Sequence, residues 1–197
     1  MRAVTQVVAP VAGSPEGIPM ETRIVDAAVE LFAARGIDGT SLQMIADALG
    51  ITKGAVYYHF KTKHEIVLAV CADSFDALEA AVAEAETIES VTSRERALDH
   101  LVPRIVAQAV ESRSVFSKLR FDPVMVRLMA DDARYEDLLG RLDRLLGGDD
   151  PDGEARVRTA AAISALAGTP VHHLVADLDD AVLRAHLTAI LQEIVRR

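Results

Sequence analysis

Residues 40–65 read TSLQMIADALGITKGAVYYHFKTKHE, and the architecture follows outward from this stretch. Leu42, Ile45, Ala46 and Leu49 recur at i, i+3, i+4 and i+7, which lays one apolar stripe along a short helix. Thr40 and Gln43 have capping-box spacing, so this helix is expected to start at Ser41. Gly50 can take the left-handed backbone that ends a helix, and Ile51 can tuck beneath the turn. Thr52 then caps a second helix running to about His59, with Ala55 and Val56 inward and Lys53, Gly54 and Tyr57 outward. Thr62 and Glu65 form another capping box, which starts a third helix just after Phe60.

Charge gives this unit its chemistry. The chain has 197 residues and a net charge of -9, and its only lysines are Lys53, Lys61, Lys63 and Lys118. Three of them fall within residues 48–64, which hold no acidic residue. An acidic chain that keeps one short, acid-free, lysine-bearing segment offers a place for phosphates, the pattern of a helix-turn-helix that reads DNA. Beyond residue 65, 23 acidic residues face 15 basic ones, so that region is expected to repel DNA. Upstream, residues 21–35 predict an amphipathic helix with Ile24, Ala27, Ala28, Leu31 and Phe32 on its apolar face and Gly36 at its end. Leu31, Phe32, Leu42, Ile45, Leu49, Val56 and Phe60 are the expected core of the three crossing helices. A unit of roughly 45 residues is marginal alone and needs the rest of the chain.

The run AAVELFAARGIDGTSLQMIADALGITKGAVYYHFKTKHEIV resembles the N-terminal DNA-binding domain of TetR-family transcriptional regulators. The elements LFAxxG, TS, IAxxLGI and GxxYYHFxxK are all present without a gap, and the resemblance spans residues 21–70. It implies that Lys53 and Tyr57 meet base edges, that Gly54 lets the backbone approach closely, and that Gln43 touches DNA, a role its capping position competes with. Thr40, Ser41, Thr52, Tyr58, His59, Lys61 and Lys63 become candidate phosphate contacts. Lys63 leads them, because it combines charge with a helix N-terminus. For His59 and one of the two tyrosines, packing between helices is the competing role.

The remaining sequence reads as helices, with no strand periodicity and no repeat. Residues 1–20 carry Pro10, Pro15, Pro19, Gly13 and Gly17 and read as a flexible arm. A signal peptide is disfavoured there, because Gln6 and Pro10 interrupt the apolar VTQVVAPVA. A long helix is expected from Thr62 to about Glu86, with a break at TIESVTS (87–93). Further helices are expected over 94–112, 114–120, from Asp122–Pro123 to Leu146, then over 154–175 and 179–195, with GGDDPDG (147–153) as connector. The expected fold is therefore all-α: a three-helix helix-turn-helix domain (21–65) on a larger helical ligand-binding and dimerisation domain (66–197).

The resemblance also implies a homodimer on a palindromic operator, built from the last two helices as a four-helix bundle. TAAAISALAG (159–168) is rich in small residues, and Leu183, Leu187, Ile190, Leu191 and Ile194 form an apolar stripe on the final helix; with Ile163 and Leu166 these are the expected dimer contacts. The plainer reading puts both stripes in the subunit's own core. A small-molecule effector is implied in the C-terminal domain. Phe75, Leu78, Phe116, Leu119, Phe121, Met125, Leu128, Met129 and Tyr135 are its apolar candidates, and Gln108, His172 and His173 its polar ones. The same apolar residues read equally as core, and the scarcity of aromatics favours an aliphatic or mixed ligand.

Other chemistries find little footing. His172 and His173 are helix neighbours pointing about 100° apart, a poor grip for one metal ion. Cys71, the single cysteine, reads as packing and fits a reducing cytoplasm. No apolar run of 18 residues suggests a membrane span. GxSxG, Walker, GxGxxG, HExxH and CxxC motifs are absent, so neither an enzyme nor a cofactor is expected. The expected function is a homodimeric DNA-binding repressor released by a largely apolar ligand. The alternative is a DNA-binding regulator with no small-molecule inducer, answering to a protein partner.

Overall fold

Local capping chemistry sets the helix boundaries of the first of two compact units, Met1–Cys71 and Ala72–Arg197. The computed structural model of the protein describes residues 17–114, 119 and 122–196, and every regular element among them is helical. The expected arm lies largely outside the described residues. Helix α1 spans Met20–Arg35 and ends at Gly36, whose φ is 75°. Helix α2 spans Leu42–Leu49, α3 Lys53–His59, and α4 Lys63–Val91.

Gly50, at φ 66° and ψ 29°, turns the chain between α2 and α3, and the Ile51 N–H closes the turn on the Ala46 carbonyl at 3.0 Å. Thr52 Oγ1 accepts from the Ala55 N–H at 3.1 Å and starts α3. Thr62 Oγ1 accepts from the Glu65 N–H, while Glu65 reaches back to the Lys61 N–H at 2.7 Å. The start of α2 differs from expectation by one residue. Ser41 is its cap, accepting from the Met44 N–H, whereas Thr40 is buried and donates its hydroxyl to the Gly36 carbonyl at 2.9 Å. α1 packs on α2 and α2 on α3. Phe32, Leu42, Ile45, Val56 and Phe60 are buried as expected, but Leu31 and Leu49 are only half-buried. Ile37, in the turn after α1, is fully buried and was not anticipated, since a turn residue belongs to no helical stripe.

The second unit centres on α5 (Arg94–Glu111), against which α7 (Ala133–Gly147), α8 (Gly153–Gly168) and α9 (Asp180–Arg196) pack; α6 (Pro123–Ala130) packs on α7. Leu98, Leu101, Val102, Ile105 and Val106 meet Leu138, Leu142 and Leu145 and the leucines of α9 in one core. Three boundaries differ from expectation. α4 runs on to Val91 and the expected break at 87–93 narrows to Thr92 and Ser93; the hydroxyls of Thr87, Ser90 and Thr92 bond back to helix carbonyls and Ile88 packs against the core. A separate helix starts at Ala133, because Asp132 caps it by accepting from the Tyr135 N–H at 3.0 Å. α8 stops at Gly168 rather than 175, since Pro170 lacks an N–H and the chain turns through 3₁₀ segments at Thr169–Val171 and His173–Val175.

The stripe assigned to dimerisation is also corrected. Leu183, Leu187 and Leu191 are each 2% exposed, committed to the chain's own core because this is the face α9 turns to α5. Ile163, Leu166 and Ile194 pack at the edge of that core, and Ile190 alone of the set is exposed. The outward faces are instead Val157, Ala160, Ala161 and Ser164 on α8, and Val182, Ala185, Ala189 and Ile190 on α9.

Along its outer flank α4 is tied to α7 by charge. Arg134 contacts Asp76 at 2.8 Å and also Glu79, Arg141 reaches Glu86 at 2.7 Å, and Arg144 reaches Glu89 at 2.8 Å and Glu86 at 3.5 Å. The hydrogen bond from Arg141 is the main reason the Glu86 carboxyl lies below its ordinary range. A depressed carboxylate contributes stability above its unfolded value and loses it as the pH falls through the folded one. Glu86→Gln is expected to cost roughly 0.5–1 kcal/mol at neutral pH, with the gap from the parent closing in acid. Urea unfolding across that range measures it, and a gap that persists in acid would contradict the ion-pair account.

Candidate nucleic-acid interface

α3 carries a nearly complete set of outward polar groups. Lys53, Gly54, Tyr57 and Tyr58 are exposed, and Ala55 and Val56 turn inward. Lys53 Nζ stands 5.6 Å from the centre of the Tyr57 ring, a cation–π arrangement that holds both predicted base readers side by side. A Cβ on Gly54 would meet only Thr52 Oγ1, at an ordinary 3.7 Å, so nothing inside the protein demands glycine there. Gln43 is exposed near the start of α2 and donates from Nε2 to Asp47 Oδ1 at 2.7 Å. It does not reach back to cap α2. Ser41 and Thr52 are exposed, and as caps their hydroxyl oxygens accept, which leaves each hydroxyl hydrogen to donate outward.

Two predicted phosphate contacts are corrected. Thr40 is 2% exposed with its hydroxyl spent on Gly36, so no phosphate reaches it. Lys63 points inward: Nζ donates to the carbonyls of Ile37 at 2.6 Å, Thr40 at 3.1 Å and Asp38 at 3.4 Å, and lies 3.9 Å from the Asp38 carboxylate. An ammonium has three hydrogens, and here each has a carbonyl. Lys61 is exposed but bends onto the last carbonyls of α3, 2.7 Å from that of Tyr57 and 3.2 Å from that of Tyr58. Neither tyrosine is packed between helices, being 44% and 78% exposed, and half-buried His59 meets the Tyr58 ring edge-on.

A cavity of about 10 Å³ in the second unit is lined by Val102, Ile105, Leu146, Ala162, Leu166, Leu191 and Val195, and none of the twelve candidates borders it. That volume holds one water at most. Phe75 and Tyr135 approach to 5.2 Å between ring centres, and Leu78, Gln108, Leu128 and Met129 are half-buried. Met125 and Leu119 are core. Phe116 and Phe121 lie outside the described residues. His172 and His173 are exposed on the 3₁₀ turns, their rings 4.3 Å apart, and His172 Nδ1 caps the second turn, so surface placement removes both from a ligand wall. Burial pushes the Cys71 thiol up to about 11, which leaves it a poor nucleophile. Among the described residues no helix is long and apolar enough to cross a membrane, and no three His, Cys, Asp or Glu side chains group as metal ligands.

Residues 24–70 match the family model described as bacterial regulatory proteins, tetR family. Over 57 residues, 29% of this chain, the sequence is 47% identical to the HTH-type transcriptional regulator SrpR of Pseudomonas putida, covering 27% of that protein. Over 47 residues, 24% of the chain, it is 45% identical to IcaR of Staphylococcus aureus (strain Newman), described as a negative transcriptional regulator of the biofilm operon icaADBC, and covers 25% of it. The chain thus spans about a quarter of the length of these curated relatives. The fold is similar to a crystal structure of a tetR-family bacterial regulatory protein from Rhodococcus RHA1, with a TM-score of 0.63, 21% identity, and coverage of 89% of this chain and 96% of that one.

The inward lysine has a measurable consequence. Lys63→Met should lower unfolding free energy by about 1.5–3 kcal/mol, the range for hydrogen bonds to a charged group. Denaturant unfolding of the purified chain measures this, and unchanged stability would show that the three carbonyls do not need the ammonium.

Proposed function

Because this chain belongs to the TetR family of bacterial regulatory proteins, we propose that it is a homodimeric DNA-binding repressor of a palindromic operator. The observation that carries the DNA reading is α3: an exposed Lys53–Tyr57 pair on a helix without a carboxylate, in a chain of net charge -9. Residues 21–65 do the reading, and residues 66–197 form the dimer and receive the signal. Repression is supported by the description of IcaR as a negative regulator.

Dimerisation uses the outward face of α8 and α9. Ala160, Ala161, Ser164, Ala185 and Ala189 are small enough for helices of two copies to approach closely, and Val157, Val182 and Ile190 supply apolar area. Two α3 helices held one helical turn of DNA apart, about 34–36 Å, then meet a two-fold symmetric site.

Release is assigned to a small, largely apolar effector in the second unit, near the half-buried Phe75, Leu78, Met129 and Tyr135. It acts by preferring the conformation that does not bind DNA, since only differential affinity shifts a population. α4 is the covalent route, one unbroken helix from Lys63, four residues after α3, to Val91. The small cavity beside Val102, which holds one water at most, is no such site.

Selection of DNA from a random duplex library by the purified chain should yield a palindrome with half-site centres about 10 base pairs apart. Ala161→Glu should give a monomer by sedimentation velocity and abolish the palindrome. Gly54→Ala separates folding from reading: it should raise stability by up to about 1 kcal/mol, because alanine favours a helix, yet weaken binding to the selected duplex. Recovery of no motif would remove the DNA-binding proposal, and an Ala161→Glu dimer would remove the proposed interface.

A further inference from the structure

Gln43 and Asp47 sit one turn apart on the exposed side of α2, joined from Gln43 Nε2 to Asp47 Oδ1 at 2.7 Å. A glutamine amide normally offers a donor and an acceptor interchangeably, because rotation by half a turn swaps them. A carboxylate only accepts, so the amide gives one of its two N–H groups to Asp47 and turns its carbonyl oxygen away, with the second N–H left beside it. We propose that Asp47 is a positioning residue that locks Gln43 as an acceptor, making it a reader of amino-bearing bases in the major groove. This rests on the DNA-binding function proposed above.

The chemistry of the groove specifies what such a reader accepts. Cytosine offers the N4 amino group and adenine the N6 amino group, both donors to the outward oxygen. Guanine offers O6 and N7 and thymine O4, so at the outward oxygen of Gln43 a keto base sets acceptor against acceptor. The Asp47 carboxylate behind the amide strengthens the same preference, being a further acceptor. At one position in each half-site the protein therefore separates cytosine or adenine from guanine or thymine. A free glutamine would instead turn to suit the base it meets.

Asp47→Asn is the nearest test in shape. Asparagine donates as well as accepts, so it bonds to either end of the Gln43 amide and releases the lock. Asp47→Ala, a better helix former, removes the partner entirely and serves if the asparagine variant folds poorly. Gln43→Ala keeps the carboxylate and removes the reader.

Full-length parent and variants would each be taken through selection from random-sequence DNA duplexes, with the enriched pools sequenced. In the parent pool, one position per half-site should favour amino over keto bases by roughly 4- to 12-fold, the upper range of a single hydrogen bond. Asp47→Asn and Asp47→Ala should reduce that preference to less than about twofold, in line with loss of the contact, and leave the other positions unchanged. Gln43→Ala should lose it at the same position. A general weakening of binding with all base preferences intact would mean that Asp47 only supports the helix, and would overturn the proposal. Retention of the preference in Gln43→Ala would overturn it too, since another group would be the reader. Failure of the parent chain to enrich any motif would instead defeat the DNA-binding function, and this inference with it.

Discussion

The carbonyls of Ile37, Asp38 and Thr40 converge on the single ammonium of Lys63, and this convergence fixes the N-terminal unit. The turn between α1 and α2 is tight. A Cβ on Gly39 would stand 2.2 Å from the Arg35 carbonyl oxygen, so the chain runs close to itself there. Within the turn the Ile37 carbonyl accepts from the Thr40 N–H at 3.2 Å, and carbonyls near a core need donors. Lys63, the first residue of α4, supplies the donors. The start of α4 is thereby tied to the loop that aims α2, and Thr40, beneath the loop, adds its bond to Gly36. With Ser41 and Thr52 capping α2 and α3, the reading helix is held through main-chain bonds on every side.

The helix-turn-helix was legible because its boundaries are written in adjacent residues. Gly50 ends α2, Thr52 starts α3, and Thr62 with Glu65 starts α4, each within four positions of its partner. What escaped the sequence depends on distance along the chain. Lys63 looks like a phosphate clamp beside α3, and only folding brings it to carbonyls some 25 residues earlier. The last turns of α4 likewise meet partners far away, Arg141 and Arg144, each 55 positions from the acid it holds. Periodicity found the leucines of α9 but not the direction they face. Any apolar stripe suits a neighbour in the same chain as well as one in another copy, and α5 claims Leu183, Leu187 and Leu191. The single helix expected from Pro123 to Leu146 ran through Asp132, which instead caps α7.

Core and flank hold α4 by different means. Val82 and Ala85 are buried in the second unit's core with Ile88 at its edge, while the outer side is held by guanidinium–carboxylate pairs at intervals matching the helix turns. Apolar packing penalises any void, whereas exposed ion pairs re-form readily in new pairings and are weak individually. Arg141 already has Glu79 at 3.9 Å as well as Glu86 at 2.7 Å, and Arg144 touches both Glu86 and Glu89. The flank tolerates small displacements that the core resists.

The inward aim of Lys63 and the bend of Lys61 onto α3 also reshape the ionic side of DNA recognition. Of the three lysines in the motif, Lys53 alone, among the described residues, is not hydrogen-bonded to main chain. Each phosphate neutralised by a protein cation frees condensed counterions, and that release makes binding fade as salt rises. A reading head that turns one ammonium into its own fold displaces fewer ions than its sequence suggests. Its affinity then leans on hydroxyl, main-chain and base-edge contacts, and it declines with ionic strength less steeply than a lysine count would forecast.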